Sequence, residues 1–514
     1  MADSSITRVL VANRGEIALR IIRACHEEGL EAVAVYAEPD RLSPHVRAAD
    51  AAVALGGTSA QDSYLRIPRV LAAARATGCQ AIHPGYGFLS ERAVFARAVE
   101  DAGFVFIGPS ADAIQAMGDK TEARRRMQGA GLPIVPGTTQ PLSDVAEARR
   151  EARRIGYPVL LKAAAGGGGK GMRLVRAEAE LEPALRAAQS EATKSFGEGG
   201  VYIEKLIDRP RHVEIQILGD GHGRIVALGE RECSVQRRHQ KLIEEAPSSA
   251  VSPALRRRMG DAATAAAATV GYRGAGTIEF LLAPDGSFYF LEMNTRIQVE
   301  HPVTELVYGV DLVREQLYIA SGRPMRVHGG TLQPRGHAIE CRITAEDPCN
   351  DFLPVTGTLR YLRPPSGPGI RWDAGVEAGN EITLFYDPLI AKLIAWGESR
   401  AIAIRRMRRA LSELVIVGLP TSQAFHLRVM QEPEFERGAI DIGYLDRIGR
   451  ALLAAPVAPE LARAVAATAA LLAEERRMAG AAVPAARPTA PPSRWTTAGR
   501  REALRGWSRG RPRS

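Results

Sequence analysis

Cysteine is scarce in this 514-residue chain, and its spacing excludes two kinds of structure. None of the five cysteines forms a Cys-x-x-Cys pair, which argues against a disulfide framework and against a zinc site. We therefore expect reduced thiols at Cys25, Cys79, Cys233, Cys341 and Cys349.

Long apolar runs are also absent. No run approaches the roughly 18 residues that a membrane helix needs. The start, Met1–Ile6, has neither the basic nor the apolar region of a secretory signal. With 46% hydrophobic residues, a chain of this length can bury several cores, and about three domains are expected. The sequence predicts a cytoplasmic, multidomain protein with no membrane partner.

Negative charge is lacking only at the carboxyl end. Residues 478–514 hold eight of the arginines and a single acid, Glu502, whereas the rest of the chain is nearly neutral although the formal net charge is +9. A nucleotide-sensing or nucleic-acid-binding protein would instead carry positive charge along a face of its body. Nucleic acid is thus an unlikely partner, and the tail is expected to be a solvated extension.

Lysine is the rarest of the charged residues. Only seven of the 67 basic residues are lysine: Lys120, Lys162, Lys170, Lys194, Lys205, Lys241 and Lys392. Arginine supplies positive charge elsewhere, so lysine should remain where a compact ammonium group is needed, for example against a phosphate oxygen.

In contrast to these scarce residue types, polar residues are concentrated in one stretch, Glu292–His301. In an extended chain, residues two apart share a face, so Glu292, Asn294, Arg296, Gln298 and Glu300 converge on one surface. A core would not place five polar groups together. The pattern predicts a site.

The preceding residues predict a hairpin that adds to this site. Asp285-Gly286 lies between two apolar runs and is a strong signal for a two-residue loop. Counting outward from that loop brings Glu279 directly opposite Glu292, with their Cβ atoms about 5 Å apart. Two such carboxylates repel unless a divalent cation lies between them, and Mg²⁺ suits such a position.

The amino-terminal region has the pattern of a βαβ unit, which predicts a parallel sheet. Its first turn, Asn13-Arg14-Gly15, has one glycine and supports dinucleotide binding only weakly. The Gly-rich segment His83–Glu91 follows another predicted strand, and ligands bind at such strand ends in open α/β sheets. A structural turn would explain this segment equally well.

A phosphate-covering loop is predicted further along. A buried strand ends at Lys162 and leads into four glycines, Gly166–Gly169, whose backbone N–H groups can approach an anion closely. The segment departs from the Walker pattern because Met172 follows Gly171. Two more strands follow, Val201–Leu206 and His212–Ile217, the second alternating as a half-buried strand does. Glu230–Lys241 is the densest polar run.

Together these motifs resemble the biotin carboxylases of the ATP-grasp superfamily. The resemblance covers residues 5 to 450 in collinear order. It rests on Ala12–Ala18, His83–Glu91, Met117–Lys120, the tetraglycine loop, Pro210–Glu214, Glu230–Lys241, Glu292–His301, His337–Ile343 and Tyr386–Lys392. Two positions depart from the family's pattern: Ala165 replaces a fifth glycine and Arg92 replaces asparagine.

The resemblance implies a ligase that uses ATP, bicarbonate and two Mg²⁺ or Mn²⁺ ions. Such an enzyme carboxylates biotin on a separate carrier protein through carboxyphosphate. This is the first half-reaction of acetyl-CoA carboxylase, or alternatively of a propionyl-CoA, methylcrotonyl-CoA or pyruvate carboxylase. No Ala-Met-Lys-Met, the usual biotin attachment motif, occurs in the chain.

The resemblance also assigns roles to individual residues. Glu300 would be the base, with Arg342, Lys241 and Arg296 as further catalytic groups. ATP would be bound by Lys120, Lys162, Gly167, Gly168, Gly169, Glu204, Lys205, Leu206, His212, Gln236, His239 and Leu281. Bicarbonate and biotin would contact Tyr86, Arg296, Gln298, Val299, Lys241 and Arg342. The metal ligands would be Glu279, Glu292 and Asn294.

The implied architecture has three domains and an extension. A Rossmann-like amino-terminal domain covers residues 1–117, and an ATP-grasp domain covers 118–331, with a mobile glycine-rich lid at about 134–205. An α+β carboxyl-terminal domain covers 332–450. Residues 451–514 would begin with an Ala-rich helix, Pro459–Arg477, and end as a basic, disordered tail. The implied partners are a biotin carboxyl carrier protein, carboxyltransferase subunits and a second copy of the chain.

Overall fold

The computed structural model describes residues 6–138, 140–163, 172–196, 200–327, 332–454 and 459–481. The chain divides into two compact units, Met1–Leu453 and Ala454–Ser514. Among the described residues, no helix is both long and apolar enough to cross a membrane.

The amino-terminal residues form a five-stranded parallel sheet in the order β3-β2-β1-β4-β5, as the βαβ pattern predicted. Val9, Leu10 and Val11 of β1 are fully buried between helices on both faces. The elements are β1 (Arg8–Val11), α1 (Gly15–Glu27), β2 (Glu31–Tyr36), α2 (Pro44–Ala48), β3 (Ala51–Ala54), α3 (Ile67–Ala76), β4 (Ala81–His83), α4 (Ala93–Asp101), β5 (Val105–Phe106) and α5 (Ala111–Gly118).

The strand order reverses between β1 and β4, and the carboxyl ends of these strands meet there. Asn13, just after β1, donates hydrogen bonds of 2.7 Å to the carbonyl oxygens of Pro84 and Tyr86, just after β4. Such a switch point is where open α/β sheets bind ligands. The His83–Glu91 segment is thereby fixed to the sheet edge.

The next region contains a small separate sheet, β7-β6-β8, with all strands antiparallel. It has its own apolar core, in which Val159, Leu161, Val201 and Ile203 are fully buried against α7 and α8. The elements are α6 (Lys120–Gly129), α7 (Val145–Ile155), β6 (Val159–Ala163), β7 (Met172–Val175), α8 (Glu178–Phe196) and β8 (Val201–Lys205). The tetraglycine loop, including Gly167, Gly168 and Gly169, lies outside the described residues.

An eight-stranded antiparallel sheet carries most of the predicted site. Its order is β13-β12-β9-β10-β11-β14-β21-β19. The first part of this region comprises β9 (Arg211–Gly219), β10 (Ile225–Arg237), β11 (Gln240–Ala246), α9 (Pro253–Ala268), β12 (Gly274–Leu282), β13 (Phe288–Asn294), α10 (His301–Tyr308) and α11 (Leu312–Ala320).

The remaining elements complete this sheet and cover it. They are β14 (His337–Thr344), β15 (Glu346–Asp347), β16 (Leu353–Pro354), β17 (Gly357–Thr358), β18 (Tyr361–Arg363), β19 (Ile370–Ala374), β20 (Glu381–Ile382), β21 (Leu389–Gly397), α12 (Arg400–Glu413), β22 (Val415–Val417), α13 (Gln423–Val429), α14 (Pro433–Glu436) and α15 (Tyr444–Ala454). In the second unit, α16 (Pro459–Ala481) confirms and extends the predicted Ala-rich helix.

One sheet crosses the predicted boundary between the second and third domains. β11 pairs with β14, so that Ile243 faces Cys341 and Glu244 faces Glu340. The regions before and after residue 331 therefore share a continuous set of backbone hydrogen bonds. The predicted domain limits themselves stay predictions.

The predicted hairpin has the expected register but a different turn. The loop holds three residues, Pro284–Gly286, and is closed by the Ala283 N–H on the Ser287 carbonyl at 2.8 Å. Gly286 has φ +82°, the left-handed conformation that such a loop requires. The prediction of a two-residue loop was wrong. A bulge at Leu291 compensates for the added residue, so Glu279 still faces Glu292.

The prediction of a half-buried strand at His212–Ile217 was also wrong. Every residue of β9 from His212 to Gly219 is buried. Its apolar face packs into a core through Val213, Ile215 and Ile217. Its polar face is covered as well, because Glu214 and Gln216 hydrogen-bond to the buried side chain of Arg231.

Candidate active site

The opposed carboxylates, Glu279 and Glu292, lie on β12 and β13, the two strands at one edge of the large sheet. Glu279 is buried and accepts a hydrogen bond of 2.9 Å from the amide of Asn294, whereas Glu292 is exposed. Carboxylate and amide oxygens are the ligands that Mg²⁺ prefers. The donor set that the sequence predicted for a metal therefore fits that ion.

Lys241 lies at the centre of an acidic cluster formed by Glu214, Glu279 and Glu300. Its ammonium group is 2.6 Å from Glu214, 2.9 Å from Glu279 and 2.7 Å from Glu300. Burial alone would lower the pKa of Lys241, but these three carboxylates raise it well above its ordinary value. A permanent positive charge is thus held among groups that would otherwise repel one another.

Glu300 is buried, yet it is strongly favoured as an anion. Burial alone would raise its pKa, but Lys241, Arg342 and Arg231 hold the pKa of Glu300 well below its usual range. Arg342 donates to its second oxygen at 3.0 Å. Glu300 is therefore ionised at neutral pH, which is the state that a general base requires.

His212 contacts the same cluster from β9. Its Nε2 is 3.0 Å from Glu279. Burial alone would lower the pKa of His212, but the charge of Glu279 raises it above the ordinary value. Leu281 lies directly across from His212 on β12.

Arg231 connects Glu214, which lies beside the predicted metal ligand Glu279, to Gln298, a predicted bicarbonate ligand. It is completely buried and donates to Glu214 at 2.6 Å and to Gln298 at 2.7 Å. Its remaining donors contact Gln216, Thr277 and Thr304. Gln298 in turn donates to Glu279 at 2.9 Å. The position of Gln298 is therefore fixed from two sides.

Arg342 is held by a carboxylate on the neighbouring strand. Its Nε donates to Glu244 at 2.6 Å, and the same guanidinium reaches Glu300. Burial alone would lower the pKa of Arg342, but Glu244 and Glu300 raise it above its ordinary value. This pair links β11, β14 and the residue at the start of α10.

Arg296 is bound by the amino-terminal domain. Its Nε donates to Glu91 at 2.9 Å, and the Thr295 N–H contacts the same carboxylate at 3.1 Å. Arg296 also donates to Asn294 at 2.9 Å. The Gly-rich His83–Glu91 segment therefore touches the polar stretch directly, which favours a ligand site over a structural turn.

A second set of contacts joins the His83–Glu91 segment to α1 and β21 through Tyr86. The Tyr86 hydroxyl donates to Glu16 of α1, and Lys392 of β21 lies 3.1 Å from the same carboxylate. The Lys392 ammonium also donates to the Val299 carbonyl at 3.0 Å. The backbone at Val299, a predicted bicarbonate ligand, is thereby tied to the third predicted domain.

The predicted nucleotide ligands line the small sheet and the β10–β11 hairpin. Lys162 is 2.5 Å from Glu204, which also binds Arg124. Lys205 donates to the Gly156 and Tyr157 carbonyls, and the Leu206 N–H donates to the Pro158 carbonyl. Gln236 is buried and faces Lys241 across the hairpin, whereas His239 is exposed in its turn. Lys120 begins α6, and its side chain lies outside what the structure describes.

Several functional candidates escaped the sequence analysis. Glu91, Glu214, Arg231 and Glu340 lie inside the motifs named above, but nothing in a single sequence distinguishes them from their neighbours. The position of Glu244 opposite Glu340 follows only from the pairing of β11 with β14. Alternation along each strand could have placed these residues on the polar face, but not against each other.

Three family models match consecutive parts of the chain. These are the biotin carboxylase N-terminal domain over residues 5–114, the ATP-binding domain of the carbamoyl-phosphate synthase L chain over 119–328, and the biotin carboxylase C-terminal domain over 340–447. A biotin carboxylase from Nostoc is 53% identical over 443 residues, which cover 86% of this chain and 99% of that protein. The chain belongs to the biotin carboxylase family.

Other biotin carboxylases and their relatives agree with this membership. A pyruvate carboxylase subunit of Methanothermobacter thermautotrophicus is 51% identical, over 87% of this chain and 91% of that protein. The biotin carboxylase domain dimer of Hydrogenobacter thermophilus 2-oxoglutarate carboxylase was solved with MgADP, ADP and bicarbonate. It shares 46% identity with a TM-score of 0.82, and the match covers 88% of this chain and all of that one.

These matches confirm the predicted family, the α/β fold class with an ATP-grasp domain, and the predicted ligase reaction with ATP and magnesium. They include subunits of more than one biotin-dependent carboxylase, so acetyl-CoA and the alternative acceptors propionyl-CoA, methylcrotonyl-CoA and pyruvate all remain. The roles given to individual residues stay predictions.

Proposed function

We propose that this chain is the biotin carboxylase subunit of an acetyl-CoA carboxylase, acting on biotin carried by another polypeptide. The observation that best supports the biotin carboxylation half-reaction is the position of Glu300. This ionised carboxylate lies between Lys241 and Arg342, beside the opposed pair of Glu279 and Glu292.

Glu300 acts as the base toward bicarbonate. It takes the proton of the bicarbonate hydroxyl group, so that a bicarbonate oxygen attacks the γ-phosphorus of ATP and ADP leaves. Its low pKa keeps it ionised at neutral pH, and the adjacent Lys241 offsets the negative charge that gathers during transfer. The product of this step is carboxyphosphate.

Arg296, Gln298 and the backbone of Val299 hold bicarbonate against this base. Gln298 is fixed by Arg231 and Glu279, and Val299 by Lys392, so both are in place before a ligand arrives. Glu91 orients Arg296 by accepting from its Nε, so that the guanidinium can face the bicarbonate anion. Placement of this kind is the main contribution a protein makes to phosphoryl transfer.

The nucleotide is bound between the small sheet and the large sheet. Lys120, Lys162, His212, Gln236 and His239 contact phosphates or ribose, and Gly167, Gly168 and Gly169 cover the phosphates. Glu204, Lys205, Leu206 and Leu281 surround the adenine. Glu279, Glu292 and Asn294 hold the magnesium ions, which neutralise phosphate charge when bound.

The biotin ring is received on the Arg342 side of Glu300. Carboxyphosphate breaks down to CO₂ and phosphate, and the phosphate takes the proton from the biotin ureido nitrogen. Arg342 stabilises the negative oxygen of the ureido group, because its guanidinium already lies beside Glu300. The deprotonated nitrogen then attacks CO₂ and gives carboxybiotin. Tyr86 packs beside the ring and is oriented by Glu16.

The assembly consists of a homodimer with a separate carrier protein and carboxyltransferase subunits. Support for the homodimer comes from the solved relative described as a dimer. The cytoplasmic location expected from the sequence stays a prediction.

Release of ADP by the full-length protein tests the half-reaction. MgATP is supplied with and without bicarbonate and free biotin, and Glu300→Gln serves as the control. Release that needs both substrates and is lost in the variant supports the proposal. Release independent of biotin would refute it. The acceptor is tested separately, by adding purified carrier and carboxyltransferase subunits and comparing carboxylation of acetyl-CoA with that of propionyl-CoA, methylcrotonyl-CoA and pyruvate.

A further inference from the structure

One buried acid beside the proposed biotin site, Glu340, forms no ion pair with any residue that the structure describes. Five buried carboxylates around it each have a cationic partner. The pairs are Glu16 with Lys392, Glu214 with Arg231, Glu244 with Arg342, Glu279 with His212, and Glu300 with Lys241. Glu340 is fully buried, and among the residues the structure describes neither of its oxygens has a hydrogen-bond donor.

Strand pairing places Glu340 against Glu244. The two residues are directly opposite in the antiparallel pair of β11 and β14, so their side chains project from the same face with Cβ atoms about 5 Å apart. Glu244 uses Oε1 to bind Arg342, while its buried Oε2 has no donor within the described part of the chain. Two carboxylate groups with unsatisfied oxygens therefore face each other.

A single proton shared by the two groups would give their oxygens a hydrogen bond and would remove one of the two negative charges. Ionised carboxylates only accept hydrogen bonds, whereas a protonated one also donates. Two like charges held this close in the protein interior cannot both persist without a cation between them. We propose that Glu340 is a neutral carboxylic acid that donates its O–H to Glu244 and thereby fixes Glu244 where it orients Arg342.

The surroundings of Glu340 favour the neutral form. Burial raises the pKa of Glu340 well above its usual value, and this outweighs the opposing charges of Lys392 on β21 and Arg342 on β14. Glu244 on β11 and Glu300 at the start of α10 raise it further. Opposite Glu340 on β21 stands the apolar Ile394. Lys392 is already engaged by Glu16 and by the Val299 carbonyl.

Glu340 is thus a positioning residue that acts through Glu244, and this part of the inference rests on the proposed role of Arg342. The protonation state does not depend on that role. A spectroscopic test of the proton and a kinetic test of the positioning therefore separate the two claims.

The proton is tested by infrared spectroscopy of the full-length protein at about pH 8, far above the ordinary glutamate pKa. We expect the carbonyl band of a protonated carboxyl group in the wild type and its loss in Glu340→Gln. Glu305→Gln is the matched control, since Glu305 is also buried but is paired with Arg20 and Arg371. That variant should keep the band. A wild type without the band, or a band that survives Glu340→Gln, would overturn the proposal.

The positioning is tested by biotin-dependent ADP release. Glutamine is neutral and still donates to Glu244, so Glu340→Gln should stay within about twofold of the wild type with the same pH profile. Glu340→Leu removes the donor and should lower kcat about tenfold while leaving the KM for ATP unchanged. A loss of more than about tenfold in Glu340→Gln would show that an anion is needed and would refute the inference. If the wild type shows the band but no biotin-dependent release, the proposed function fails and the protonated Glu340 stands.

Discussion

The ammonium group of Lys241 lies 2.7 Å from Glu300 and also contacts Glu214 and Glu279. One lysine therefore sets the charge state of the proposed base and offsets the repulsion among the carboxylates at the proposed metal site. Replacing it should alter the pH dependence of the reaction as well as its rate.

Lys241→Gln removes the largest charge that lowers the pKa of Glu300, so this pKa should rise. Because the base must be ionised, the acid limb of kcat/KM for bicarbonate should move to higher pH, and kcat should fall about 100-fold. Lys241→Arg keeps the charge, so its acid limb should stay in place although its rate falls. An unmoved acid limb in Lys241→Gln would contradict the assignment of Glu300.

Glu91→Gln tests the contact that holds Arg296. The neutral amide holds the guanidinium less firmly, so the KM for bicarbonate should rise several-fold while the KM for ATP is unchanged. Glu100→Gln is the control, because Glu100 forms only an exposed pair of 4.0 Å with Arg273. A larger change for ATP than for bicarbonate would argue against this placement of the bicarbonate site.

Arg231→Met should destabilise the protein strongly. The substitution leaves Glu214 buried with one cation fewer, at a cost of about 3–5 kcal/mol in the free energy of unfolding. Urea unfolding measures this loss. Arg231→Lys keeps the charge but cannot reach all five partners, so it should lose less stability and raise the KM for bicarbonate through Gln298. Equal stability of the two variants would contradict the role of the buried charge.

Stability at acid pH should depend on Glu245. Burial would raise its pKa, but Arg400 and His337 lower it to about 2. A lowered pKa stabilises the fold above the unfolded value of about 4.3, and the stabilisation is lost as pH falls toward 2. Glu245→Gln should therefore cost about 3 kcal/mol at neutral pH and flatten the unfolding free energy between about pH 4.5 and pH 2. An unchanged slope in that window would refute the prediction.

Truncation tests the carboxyl-terminal extension. The cut belongs after Ala454, because Arg428 binds the Leu452 and Leu453 carbonyls at the end of α15. Removing residues 455–514 should leave ADP release with free biotin unchanged and weaken binding to the carboxyltransferase or carrier. Assembly that is unchanged in co-purification would exclude a docking role for the extension.

Much of the fold followed from the sequence because its signals are local. Apolar runs and single turns predicted the parallel sheet, β6, β8 and α16. The facing of Glu279 and Glu292 was predicted correctly only because two differences cancelled, an extra loop residue and the bulge at Leu291. A bulge leaves no reliable mark on a single sequence, since any residue type can occupy it.

The contacts between the site residues could not be predicted from the sequence, for a different reason. Arg342 and Glu244 lie 98 positions apart, and Arg296 and Glu91 lie 205 apart. Local patterns state which face a side chain occupies but not which distant strand lies beside it. The sequence therefore predicted which polar residues belong to the site, but it could not predict the ion pairs between them.

The continuous sheet from β13 to β19 has a consequence for how the protein can be divided. A fragment that ended near residue 331 would lose β14 and leave the edge of β11 without its backbone partners, exposing Ile243 and the acids beside it. Unprotected edges of this kind promote pairing with other chains. The proposed nucleotide site and the proposed biotin site thus share one sheet, and we expect neither to stay folded after proteolytic separation from the other.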